Sequence, residues 1–307
     1  MNILVTGANG FIGTALVSDI EKSGHNAISI GRQKNYQKEQ LDLEKYLTNV
    51  DCVIHLANIA HQSLSEQVKN KLIYREVNVE GTANLAKRAA KAGVKKFIYL
   101  SSVAVHLNKK RNENNNIDES SEILRQDLSV YAKSKYDAEL KLSEMIGSID
   151  MDIIIIRPPM VYGETAIGNF DFLLKLIKYR IPLPIGLLNT KRSFLYIHNL
   201  TDFLIYVAEK SNPINDIFLV SDGESILITD FIRQISDQLK VKTLFLPVPM
   251  VILRFIINYF FKKRGIQLLE SCCLDISKAN HKLGWNPPFQ TKEAIRNIYE
   301  NKKKRGS

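Results

Sequence analysis

The chain has 307 residues, 45% of them hydrophobic and 24% charged, which is the composition of a globular protein able to bury a substantial core. A net charge of +10 admits nucleic acid, membrane or polyanion partners. The basic runs, such as Lys109-Lys110-Arg111, Lys262-Lys263-Arg264 and Lys302 to Arg305, lack the interleaved aromatics that stack bases, so they read as solvated faces and exclude a nucleic-acid binder. The apolar N-terminus turns into glycines too soon for a signal peptide, and no run of ~20 apolar residues offers a membrane span, so a cytoplasmic location is expected. Cys52, Cys272 and Cys273 lack the paired spacing of a zinc site and read as reduced, with no metal expected.

In chain order, residues 2 to 6 predict a buried strand and residues 11 to 22 a helix. Further apolar runs at 26 to 30, 51 to 56, 96 to 101 and 152 to 156 are separated by segments long enough for crossovers. Strands buried on both faces read this way, so the fold class is α/β, a Rossmann-type doubly wound parallel sheet. Beyond Arg157-Pro158-Pro159 a helix is predicted at 170 to 179 and short strands at 194 to 197 and 217 to 220, with little regular alternation afterwards. The expected division is a dinucleotide-binding domain over 1-165, rejoined by 194-220, and a smaller C-terminal substrate-binding domain over 166-193 and 221-307. Residues 108 to 122, rich in asparagine and charge, read as a mobile loop.

Between the first strand and helix lies Thr6-Gly7-Ala8-Asn9-Gly10-Phe11-Ile12-Gly13, with three glycines at intervals of three. Such a turn lets the backbone approach a pyrophosphate at a helix N-terminus, where free amides and the dipole favour negative charge. The second strand ends in Gly31-Arg32-Gln33 with no acid to meet a ribose, so Arg32 tilts the expected cofactor toward NADP(H) over NAD(H). Asp42 and Leu43 are placed to meet the adenine edge.

Tyr131 and Lys135 stand four apart on a predicted helix and so share one face, where an ammonium favours the phenolate. Ser101-Ser102 ends the fourth predicted strand, and ligands of open α/β sheets bind beyond such carboxyl ends. Ser102 can hold a substrate oxygen while Tyr131 moves its proton.

With these motifs stand Val53-Ile54-His55-Leu56-Ala57, Asn78-Val79-Glu80-Gly81-Thr82, Arg157-Pro158-Pro159-Met160-Val161-Tyr162-Gly163, Arg192-Ser193-Phe194 and Leu283-Gly284-Trp285-Asn286-Pro287-Pro288. Over nearly its whole length the sequence resembles the extended short-chain dehydrogenase/reductase family, the NAD(P)-dependent epimerases, dehydratases and reductases of nucleotide sugars. It is similar in particular to the subgroup acting on UDP-N-acetylhexosamines. The resemblance makes Ser102, Tyr131 and Lys135 catalytic. It places Gly7, Asn9, Gly10, Phe11, Ile12, Gly13, Leu56, Ala57, Asn78 and Pro158 around the cofactor, Asn78 as a support of the active-site backbone, and Asn169 and Arg192 at the nucleotide diphosphate. His55 and His61 read as core and loop residues. A homodimer is typical of the family.

Three departures shape the functional expectation. Val103-Ala104 replace the Asp-Glu pair of the members that eliminate water, which disfavours a 4,6-dehydratase. His106-Leu107 stand where relatives carry Tyr or Asn with Gly, and the arginine expected near Gln267 is missing, with Arg264 a weak substitute. The first expectation is a reductase of the C4 ketone of a UDP-4-keto-6-deoxy-N-acetylhexosamine for surface-polysaccharide precursors. The alternative is a UDP-sugar 4-epimerase with bound NAD, and a non-catalytic scaffold ranks third. Residues 248 to 261, apolar and followed by Lys-Lys-Arg, raise association with an anionic membrane, ranked below packing against the chain's own domain or a partner subunit.

Overall fold

The computed structural model describes residues 1–31, 43–59, 70–107, 116–166, 169–253, 255 and 271–305. Strand β1 (Asn2–Thr6), helix α1 (Phe11–Lys22), β2 (Asn26–Ile30), α2 (Leu43–Leu47) and β3 (Cys52–His55) come first. There follow α3 (Lys71–Tyr74), a π-helical segment (Arg75–Glu80), α4 (Gly81–Lys91), β4 (Lys96–Leu100), α5 (Val130–Ser143), β5 (Asp152–Arg157) and β6 (Met160–Tyr162). The C-terminal part holds α6 (Asn169–Lys178), β7 (Lys191–Tyr196), α7 (Ile197–Glu209), β8 (Asp216–Leu219), β9 (Ser225–Leu227), α8 (Ile228–Gln238), α9 (Ser277–Leu283) and α10 (Thr291–Arg305).

Among the described residues, six strands form a parallel sheet in the order β2-β1-β3-β4-β5-β8. Residues alternate between its faces with the period of two that a strand imposes. Ile3, Val5, Ile54, Ile98, Ile154 and Ile156 join one buried cluster with Leu16 of α1 and Phe203 of α7. Leu4, Val53, Phe97, Tyr99, Ile153 and Ile155 join the opposite one with Ala86 of α4 and Leu142 of α5. A strand apolar at every position is therefore sandwiched, as the sequence predicts. The chain crosses to opposite sides of β1 to make β2 and β3, which opens a crevice beyond the carboxyl ends of the strands.

Strand β7 pairs with β6 and β9 in a separate three-stranded sheet, whereas β8 returns to the parallel one. The small sheet lies over an aromatic cluster in which Phe194 and Phe231 stack at 3.9 Å and 8°. The weakly patterned C-terminus is held by side chains. Trp285 Nε1 donates to Asp202 at 2.8 Å, its ring meets Phe203 edge-on, and Phe289 exchanges backbone bonds with the Asn199 amide. Residues 116 to 122 are not the mobile loop expected. Ile117, the one aliphatic residue of a polar run, is fully buried against Leu219 and Leu274, and its N–H donates to the Cys273 carbonyl at 2.7 Å. The rest of that expected loop, residues 108 to 115, lies outside the described residues.

Asp222 ties the two sheets together. Its carboxylate accepts from the Tyr196 N–H, Asn199 Nδ2 and the Tyr162 hydroxyl, each at 2.7 Å. Burial pushes its pKa up to about 6 despite these donors. The folded chain thus takes up a proton here below about pH 6, and the unfolded chain only near the ordinary carboxylate value. The stability carried by this group is fully present below that ordinary value and lost as pH rises through 6, a swing of about 3 kcal/mol. Denaturant midpoints at pH 4.5 and 7 are expected to show wild type gaining on Asp222→Asn at the lower pH; parallel curves contradict it.

Candidate active site

Beyond β1, Gly7 has φ +74°, a left-handed backbone, and a Cβ there would lie 2.9 Å from the Ala57 nitrogen. Its N–H donates to the Ile30 carbonyl at 2.8 Å, which ties the turn to the end of β2. Gly10 caps α1 without a side-chain bond, and a Cβ on Gly13 would stand 2.2 Å from the Gly7 carbonyl. The first turn of α1 is thereby drawn onto β1 with its amides facing the crevice. Asn9 and Gly10 are exposed, Phe11 and Ile12 half-buried, and Leu56 and Ala57 wall the far side. This cradle, filled by any Cβ, fits a dinucleotide pyrophosphate.

Arg32 and Asp42 lie outside the described residues, as do His61, Arg264 and Gln267. Leu43 opens α2 and packs against the second core cluster. Asn78, in the π-helical segment, is buried. Its Oδ1 accepts from the Ile59 N–H at 2.7 Å, and its Nδ2 donates to the Ile59 carbonyl at 3.1 Å and to Ser134 Oγ at 3.0 Å. Ser134 donates in turn to the Tyr131 carbonyl at 2.8 Å. The Asn78 amide therefore clamps the segment after β3 to the helix that carries Tyr131.

The elements converge at the ends of β4 and β5. Ser102 caps a 3-10 turn (Val103–His106), accepting from the Ala104 N–H at 3.2 Å, and Val103 N–H donates to the Pro158 carbonyl at 2.9 Å. Ser129 caps α5 and so fixes Tyr131 in its first turn. Burial pushes the Tyr131 pKa up to about 12, against the neighbouring Ser102 hydroxyl, which favours the phenolate. Lys135 is fully buried, donates to the Leu100 carbonyl at 2.6 Å and stands 4.7 Å over the Tyr99 ring. Burial pulls its pKa down to about 7, against the attraction of Glu139. The phenol thus starts far from neutral pH, and a cationic neighbour is what such an acid/base requires.

Beneath this trio lies a buried charge network that the sequence reading did not single out. Glu139, one turn beyond Lys135 on the same stripe of α5, accepts from Arg157 Nη2 at 2.6 Å and Nε at 3.1 Å, and from Ser101 Oγ. Arg157 Nη1 meets His106 Nε2 at 2.8 Å, which assigns that nitrogen as the acceptor of a neutral ring. The signals were an acid on the inward stripe of a helix and an arginine ending the apolar strand Asp-Ile-Ile-Ile-Ile-Arg. A second chain runs from the Ala57 N–H to Thr6 Oγ1, on to His55 Nδ1 at 2.6 Å, and from His55 Nε2 to Thr82 at 2.9 Å. Burial, then the nearby Lys135 charge, pulls the His55 pKa down to about 3, so the ring is a neutral spacer in the core, as expected.

Asn169 opens α6, and its side chain lies outside the described residues. Arg192 is buried on β7 in the small sheet. Among the described residues no helix is long and apolar enough to cross a membrane.

The model of the NAD dependent epimerase/dehydratase family matches residues 3–221, from β1 to just beyond β8. The chain belongs to that family. It is accordingly an enzyme of the extended short-chain dehydrogenase/reductase type. UDP-glucose 4-epimerase of Vibrio cholerae is 33% identical to it, across 96% of this chain and 93% of the relative. The N-acetyl-alpha-D-glucosaminyl-diphospho-ditrans,octacis-undecaprenol 4-epimerase of Escherichia coli O157:H7 is 28% identical, across 81% and 76%. Among solved structures, MoeE5 in complex with UDP-glucuronic acid and NAD superposes with a TM-score of 0.77 over 99% of this chain and all of that one, at 20% identity. The epimerase/dehydratase fold is thus shared from end to end.

Proposed function

We propose that the enzyme is a UDP-sugar 4-epimerase that works with tightly held NAD. The observation that carries this reading is the 33% identity to the Vibrio cholerae epimerase across 96% of the chain, joined to an intact Ser102, Tyr131 and Lys135. The reductase that ranked first in the sequence rested on the absence of an acid after the second strand and on a short C-terminal half. Neither outweighs two relatives that are both named 4-epimerases. The preference for NADP(H) hung on Arg32, which lies outside the described residues, and the family's own description is NAD dependent.

In this reading the amides between Gly7 and Gly13 would hold the dinucleotide's pyrophosphate, and Leu56, Ala57 and Pro158 would contact it. The small sheet, with residues 166-193 and 221-307, takes the nucleotide sugar, and Asn169 and Arg192 meet its diphosphate. Bound there, NAD supplies the acceptor and then the donor of the hydride at C4. Tyr131 removes the C4 hydroxyl proton as the ketone forms and returns it after the sugar has turned over. Ser102 holds the C4 oxygen through both halves, and the Lys135 ammonium stabilises the Tyr131 phenolate. Val103-Ala104 follow Ser102 in place of the Asp-Glu pair that would expel a neighbouring hydroxyl.

Purified enzyme is expected to interconvert UDP-glucose or UDP-N-acetylglucosamine with its C4 epimer without added cofactor. With a UDP-4-keto-6-deoxy sugar it is expected to leave NADPH absorbance unchanged. Rapid NADPH loss there, with no interconversion, returns the reductase.

A further inference from the structure

An apolar ledge stands on the far side of the small sheet. Residues 181 to 187 run beside 244 to 246, with Leu183 N–H donating to the Leu244 carbonyl at 2.9 Å and Gly186 N–H to the Leu246 carbonyl at 2.8 Å. A helical turn at 250 to 253 follows and is anchored from beneath, where Leu253 packs on Leu188 with Ile185 and Val248. The outward side chains of these segments and of the flanking Tyr179 and Phe255 are large and bare: Tyr179 is 71% exposed, Leu187 60%, Leu244 58%, Val251 81% and Phe255 72%. Of the apolar segment 248 to 261, Leu253 packs inward as expected, Val251, Ile252 and Phe255 are exposed, and residues 254 and 256 to 261 lie outside the described residues.

Cations outnumber acids around the ledge, where Asp237 is the exposed acid beside Lys240. Lys178, Arg180, Lys240 and Lys242 are exposed at its edges. From Leu239 to Leu269 the sequence holds six Lys or Arg and no Asp or Glu, although acids make up 32 of the 307 residues. An isologous dimer would lay this face on its own copy and bring four edge cations against each other, with Asp237 the exposed acid beside them. An anionic lipid surface answers both features, because acyl chains accept the apolar side chains while headgroup phosphates meet the cationic rim.

We propose that this face, centred on Val251 and Phe255, docks the enzyme on the surface of an anionic bilayer. The proposal stands apart from the reaction proposed above. It is tested by flotation of the purified full-length enzyme with vesicles of phosphatidylcholine alone and with vesicles in which about a third of the lipid is phosphatidylglycerol. Roughly tenfold more protein is expected to float with the anionic vesicles, and high salt is expected to release most of it. Val251→Asp with Phe255→Asp, and separately Lys178→Glu with Lys240→Glu and Lys242→Glu, are expected to abolish flotation while the thermal midpoint stays at wild-type level. Should either variant fail to fold, the salt response and the lipid preference of wild type decide. Wild type that stays behind with anionic vesicles, folded variants that still float, or an Asp variant that falls from dimer to monomer on gel filtration would each overturn it.

Discussion

Tyr131→Phe is expected to lower kcat by about a thousandfold while leaving NAD bound and the thermal midpoint almost unchanged, because proton transfer by a positioned group is worth ~10²–10⁴. The reason lies in the local balance of forces. The phenol is half-buried at the mouth of α5, its ring packing survives the substitution, and only the oxygen shared with Ser102 is lost. NAD released on denaturation in wild-type amount, with turnover lost, separates this outcome from unfolding. A variant keeping more than about a tenth of wild-type kcat would move the acid/base role elsewhere.

Glu139→Ala is expected to destabilise the fold by about 3–5 kcal/mol, the cost of stranding a buried arginine. Both partners are almost inaccessible, and Arg157 also engages His106 on the turn behind Ser102. Removing the pair together, as Glu139→Leu with Arg157→Met, is expected to recover most of that loss, since two apolar side chains have no desolvation to repay. Glu139→Gln keeps the shape and serves as the functional control. It removes the attraction that raises the proton affinity of Lys135, so the alkaline limb of kcat should move to lower pH. An unmoved limb in a stable Glu139→Gln enzyme would leave Glu139 a purely structural residue.

The sheet was legible in the sequence because parallel strands buried on both faces read as unbroken apolar runs, and β1, β3, β4 and β5 are such runs. The glycine turn was legible for a steric reason: Gly7 and Gly13 have no room for a Cβ, so the residue type itself reports the geometry. Ser102, Tyr131 and Lys135 were legible because a strand end and one helical turn bring them together. Glu139 and Arg157 were not, since each looks like an ordinary surface charge until α5 is laid on β5. Asn78 was legible as a support of the active-site backbone through the family resemblance, but its partners Ile59 and Ser134 are separated in sequence and meet only in the fold. Ile117 escaped because a single apolar residue in a polar run has no period to betray it.

The account rests on hydride leaving and returning to C4 within one enzyme molecule, and deuterium at that carbon reads it directly. UDP-glucose deuterated at C4, incubated with the purified enzyme and no added cofactor, is expected to give the C4 epimer with deuterium retained at C4, read by mass spectrometry and NMR. Product carrying protium at C4, or no product until NADPH is supplied and consumed, contradicts the epimerase account.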